Sequence, residues 1–102
     1  MHIETLKMFC DLATLRSFSK TADKHMVSQS AVSQQVAQLE IEHKCQLLNR
    51  QKRPLELTTA GEIFYRAARD MVDRYELLKS EMNTLKQAAQ SRVNVGAIYS
   101  IG

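Results

Sequence analysis

The stretch VSQSAVSQQVAQLE, residues 27–40, has its apolar residues at helical spacing and carries no charge before its last residue. Ser28 sits where a helix N-cap belongs, and with that cap Val27 and Val32 take the two positions of a hydrophobic staple. Val32, Val36 and Leu39 then form one stripe to bury. At about 100° per residue the opposite face collects Ser30, Ser33, Gln34, Ala37 and Ile41. Because 25% of the chain is charged, a water-facing surface of neutral Ser and Gln needs a reason.

Upstream, SFSKTADKH has Ser19 as its expected N-cap and is long enough for about two turns before Met26 and Val27 interrupt it. Ala22 lies where a small residue on this short helix can accept Val32 of the next at their crossing. An earlier helix, IETLKMFCDLA, sets Ile3, Leu6, Phe9, Cys10 and Ala13 on one stripe. A short helix, a tight turn and a second helix with an acid-free outer face are the elements of a helix-turn-helix reader.

Downstream, Leu47 and Leu48 lead into the basic run RQKR, and after Pro54 Leu55 and Leu57 alternate with Glu56. Two very short strands joined by a basic turn, a small wing, are expected. Thr59-Ala60-Gly61-Glu62 has the spacing of a capping box and opens a helix of about 30 residues, about 45 Å. Its apolar positions, Phe64, Ala68, Met71, Tyr75, Leu78, Met82, Leu85 and Ala89, alternate four and three residues apart, which is the seam of a coiled coil. A domain of this size cannot cover so long a seam, so a second copy of the chain is expected to cover it. In the tail RVNVGAIYSIG, Val93 and Val95 alternate with polar residues like a strand, the expected opening of a further domain.

The chain has 102 residues and a formal charge of +3, room for one small domain with one long element. No Asp or Glu occurs between Lys24 and Leu39 or between His43 and Leu55, and the second window holds Lys44, Arg50, Lys52 and Arg53. Surface kept clear of acids beside such a run suits a polyanion. No apolar run approaches the roughly 20 residues of a membrane span, and the N-terminus lacks a signal-peptide pattern, so a cytoplasmic protein is expected. Cys10 and Cys45 form no CxxC pair, and His43 with Cys45 offers too few ligands for a metal. Neither a catalytic set nor a glycine-rich phosphate loop is recognisable, so neither an enzyme nor a cofactor is expected.

FCDLATLRSFSKTADKHMVSQSAVSQQVAQLE, followed by LLNR and LELTTAG, resembles the N-terminal domain of LysR-type bacterial transcriptional regulators. The likeness runs from Met1 to about Gln90. It implies a mainly α fold: a winged helix-turn-helix DNA-binding domain over 1–58, a dimerising linker helix over 59–90, and at 91–102 the start of a truncated effector-binding domain. Double-stranded DNA and a second copy of the chain are the implied partners. A small-molecule inducer would belong to the missing domain, and no membrane is involved.

On this resemblance Gln29, Ser30, Ser33 and Gln34 face the major groove, where neutral amides and hydroxyls can discriminate between bases. Ser17, Ser19, Lys20 and Thr21 would contact phosphates, and Arg50, Lys52 and Arg53 would lie beside or in the minor groove. Paired linker helices would be antiparallel and present two reader helices to an interrupted inverted repeat. The chain departs from the family pattern at Ser30 and Gln34, and at EHKCQLLNR, where the usual glycine is missing. Either the reader helix ends differently or Lys44 adopts the left-handed conformation. From the residues alone, a winged-helix regulator of another family and a coiled-coil module that binds protein and not DNA stay open.

Overall fold

The computed structural model describes residues 2–91, and the strand expected from Val93 and Val95 lies outside them. The elements are α1 (Ile3–Leu15), α2 (Phe18–His25), α3 (Gln29–His43), β1 (Leu48–Asn49), β2 (Glu56–Leu57) and α4 (Thr59–Ser91). The fold is mainly α, with a winged helix-turn-helix and a long last helix. Two compact units are present, Met1–Val72 and a second that begins at Asp73.

In the first unit, Val32, Val36 and Leu39 of α3 are buried, as their spacing required, and share one core with Ala22 of α2 and with Met8, Phe9 and Leu12 of α1. The small Ala22 and Val32 are both buried in that core, where α2 and α3 pack together. Beneath them the wing contributes Leu47, Leu48 and Leu55 to the same core. Its strands are antiparallel, with Leu48 opposite Leu57 and Asn49 opposite Glu56. The Arg53–Pro54 peptide bond is cis.

Each of the first three helices ends on a left-handed residue that is not glycine: Arg16 (φ 54°), Met26 (φ 56°) and Lys44 (φ 54°). Backbone bonds offset the strain. The Val27 N–H donates to the Ala22 carbonyl at 3.0 Å and the Cys45 N–H to the Glu40 carbonyl at 3.2 Å, closing α2 and α3 in the Schellman pattern. Lys44 therefore takes the strained conformation, and α3 stops where a glycine-terminated helix would.

Two expected caps move by a residue or two. Ser17, not Ser19, caps α2, its Oγ accepting the Lys20 N–H at 3.1 Å. Starting at Phe18 lets that ring pack against the core. Likewise Thr58, not Thr59, caps α4: its Oγ1 accepts the Gly61 N–H at 2.9 Å and donates to the Gln46 carbonyl at 2.6 Å. The same hydroxyl thus joins the helix to the chain entering the wing.

The seam of α4 also needs correction. Ala68 is fully buried against Leu6 and Cys10 of α1, and Phe64 stacks edge-on against Phe9 with centroids 5.0 Å apart. These two side chains are used within their own chain, because α1 has a second apolar face that, among the described residues, the start of α4 covers. The stripe that covers it, Phe64, Tyr65, Ala68 and Val72, follows the 3.6-residue period of a straight helix rather than the 3.5 of a coiled coil. Met71 turns outward at 43% exposure. In the second unit Leu77, Leu78, Met82 and Leu85 are 47–60% exposed, Ala89 is exposed and Tyr75 is half-buried. Arg74–Glu81 and Lys79–Glu76 ion pairs at 3.9 and 3.7 Å lie on the surface of that segment.

Candidate nucleic-acid interface

Ser28 opens α3 by accepting the Ala31 N–H on its Oγ at 3.0 Å. The cap fixes where the helix starts, and so which side chains its first turns present. Gln29, Ser30 and Gln34 are exposed and Ser33 is half-buried. With the opposite stripe buried in the core, these neutral side chains are held outward by a rigid element.

The start of α2, the start of α3 and the wing meet around two adjoining open grooves. One, of about 370 Å³, is lined by Arg16, Ser17, Phe18, Ser19, Gln29, Arg53 and Leu55. The other, of about 330 Å³, is lined by Phe18, Gln29, Ser30, Ser33, Arg50 and Arg53. Seven of the residues expected to touch DNA, Ser17, Ser19, Gln29, Ser30, Ser33, Arg50 and Arg53, are thus brought together, and no carboxylate lines either groove. Lys20, Gln34 and Lys52 are exposed but line neither groove.

Thr21 is the exception. It is fully buried, and its Oγ1 donates to the Ser17 carbonyl at 2.8 Å, so it holds the first turn of α2 and cannot reach a phosphate. Arg16 was not anticipated. It is the left-handed residue between α1 and α2 and puts a third guanidinium beside Ser17 and Arg53. Its position immediately before the cap was the available signal.

Two ionic clusters hold this surface in shape. Asp11 on α1 accepts Lys24 Nζ at 3.0 Å and pairs with His25 Nε2 at 2.7 Å, tying α2 to α1. Burial pushes the Asp11 carboxyl up, but hydrogen bonds and charge from Lys24 and His25 outweigh it and hold its pKa below the ordinary aspartate value. On the other side, Glu40 of α3 accepts the Leu47 and Leu48 N–H groups at 2.9 and 3.3 Å and Arg50 Nη1 at 3.1 Å. The Arg53 guanidinium donates to the carbonyls of Arg50 and Lys52, which folds the wing turn on itself.

Cys10 is buried and Cys45 exposed, and among the described residues no group of three His, Cys, Asp or Glu side chains is placed to hold a metal ion. His43 instead stacks edge-on against Phe64 at 5.2 Å. No helix among the described residues is long and apolar enough to cross a membrane.

Residues 3–62 match the family model of the bacterial regulatory helix-turn-helix protein, lysR family. Over 101 residues the chain is 38% identical to a probable nitrogen assimilation transcriptional activator of Synechocystis sp., covering 99% of this chain and 32% of the relative. It is 33% identical to the HTH-type transcriptional regulator CysL of Bacillus subtilis, over 100% of this chain and 34% of that protein. The chain therefore spans about one third of the length of these curated relatives. Among solved structures, the BenM DNA-binding domain in complex with catB site 1 DNA superposes with a TM-score of 0.80 at 31% identity, over 84% of this chain and 96% of that one. Vibrio fischeri DarR, solved in complex with DNA, gives 0.78 at 32% identity, over 86% of this chain and 30% of DarR. By its sequence match, its fold and the elements that frame its grooves, the chain belongs to the LysR family of bacterial regulatory helix-turn-helix proteins.

Proposed function

We propose that this chain is the DNA-reading part of a cytoplasmic, non-enzymatic transcriptional regulator, and that it binds double-stranded DNA as a homodimer. The observation that carries the proposal is the pair of acid-free grooves in which Arg16, Arg50 and Arg53 flank the neutral Gln29, Ser30 and Ser33. A guanidinium without an acid partner attracts phosphate of any sequence, whereas amides and hydroxyls distinguish base edges. In this reading α3 enters the major groove, Ser17, Ser19 and Lys20 sit against the backbone, and Arg53 with Lys52 reaches along the wing to the minor groove.

The apolar side chains left exposed on α4 support pairing of two chains, which would set two reader helices on the halves of an interrupted inverted repeat. Residues 1–58 would do the reading and 59–90 the pairing. An inducer would act on a further domain that would begin at about residue 91.

Selection of duplexes from a random pool, followed by fluorescence anisotropy across a salt series, tests the proposal. An enriched inverted repeat is expected. Arg53→Ala is expected to weaken all duplexes alike and lower the salt slope by about 0.9. Gln34→Ala is expected to relax the preference at one position, an effect of about 1–3 kcal/mol. Binding that shows no salt dependence would rule the reading out.

A further inference from the structure

Glu40 is a carboxylate at the edge of the acid-free reader face, and its side chain is only 13% exposed. One of its oxygens accepts the N–H groups of Leu47 and Leu48, where the chain enters the wing, and the other takes Arg50 Nη1 at 3.1 Å. Arg50 in turn is 37% exposed and lines the groove with Gln29, Ser30 and Ser33. A single carboxylate therefore fixes both the first strand of the wing and the direction of the guanidinium that borders the reader residues.

An arginine without an acid partner at this place would be a mobile positive charge, useful against any phosphate. Paired with Glu40, the two side chains sum to no net charge, and the guanidinium keeps further N–H donors in a planar, fixed orientation. Such a group adds little to indiscriminate attraction and more to a contact that depends on where the acceptor lies. Resting on the DNA-binding reading above, we infer that Glu40 is a positioning residue that determines specificity: it cancels and orients the charge of Arg50, so that Arg50 discriminates among duplexes instead of binding all of them.

The test uses the whole 102-residue chain as wild type, Glu40→Gln, Arg50→Gln and the double variant. Affinities for a selected duplex and for a random one are measured across a salt series, with a thermal melt of each protein. Glu40→Gln frees one positive charge, so its salt slope is expected to steepen by about 0.9. Its random-duplex affinity rises, and the ratio of selected to random binding falls by about tenfold. In the double variant the slope returns to that of wild type while the ratio stays low. A Glu40→Gln protein with unchanged slope and ratio, or one weakened equally on both duplexes, overturns the inference.

Should Glu40→Gln fail to melt cooperatively, Arg50→Gln decides, because it leaves the Glu40 bonds to Leu47 and Leu48 in place. A lowered ratio is then expected, and an unchanged one overturns the inference. Wild type that binds neither duplex overturns the DNA-binding reading and this inference together, whereas wild-type binding with indifferent variants overturns this inference alone.

Discussion

Lys44 ends α3 at φ 54°, where an L side chain crowds its own carbonyl at a cost of about 1–2 kcal/mol. Glycine has no such penalty, though it gives back part of the gain through the freedom of its unfolded chain. Lys44→Gly is expected to stabilise the protein by about 1 kcal/mol, read as a higher urea midpoint at an unchanged slope. A lower midpoint would show that the lysine side chain contributes more than the strain removes. This strain was legible beforehand, since the helix had to end near residue 44 and no glycine was available. Gly61 was not. A Cβ there would lie 2.0 Å from the Leu47 carbonyl oxygen, so the start of α4 sits directly on the chain entering the wing. Nothing in TTAG records that contact, because it depends on a backbone fourteen positions upstream. The displaced caps have the same origin: Ser17 and Ser19, or Thr58 and Thr59, are equivalent by propensity, and packing of Phe18 and a bond to Gln46 choose between them.

Helices α1 and α2, which share an apolar core, present the opposite case, a polar contact between elements that centres on one side chain. Asp11 is held below its ordinary pKa by Lys24 and His25, so its contribution to stability is present above the unfolded value of 3.8 and is lost as the pH falls through the lower folded one. Asp11→Asn is expected to lower stability by about 1 kcal/mol at pH 6. The difference from wild type should shrink as acid protonates Asp11 in both folded and unfolded chains, disappearing below the folded pKa. Urea melts of the two proteins between pH 6 and pH 2 check this, and a difference that stays constant with pH would mean that the Asp11 charge is not what joins α1 to α2. Element identities were well marked in the sequence, because Val32, Val36 and Leu39 on α3 and Leu6, Phe9 and Cys10 on α1 repeat at helical spacing. Partners were less so. The stripe Phe64 and Ala68 read as the opening of an intermolecular seam, yet α1 claims both, since its burial on two faces was invisible in a pattern that counted only one. The grooves show the same division: charge and polarity pointed to Ser33, Arg50 and Arg53 and the family resemblance to Gln29, while the burial of Thr21 and the place of Arg16 followed from how α2 is seated.

Exposed apolar area on α4 bears on how many chains the proposed function needs. Leu78 and Leu85 are 47% and 60% exposed, so neither belongs to a core among the described residues. Burial of a leucine side chain is worth about 1.5–3 kcal/mol, and a seam that keeps Leu78, Met82 and Leu85 in water forgoes that several times over. On the DNA-binding reading proposed above, a second copy would recover it and would do more for DNA reading than for stability. Once one reader was seated, its twin would search for the second half-site at an effective concentration in the millimolar range, which would raise overall avidity by about 10²–10⁴. Leu78→Glu combined with Leu85→Glu is therefore expected to convert a dimer to a monomer in analytical ultracentrifugation while leaving the helical circular dichroism of the first unit in place. Affinity for a single half-site should be unchanged, because Gln29, Ser30 and Ser33 lie in the first unit and are untouched. Affinity for the full inverted repeat should fall by at least about 10² toward that of one half-site. A double variant that still sediments as a dimer would move the pairing face away from this side of α4, and a monomer that kept full affinity would mean that each chain reads its site alone.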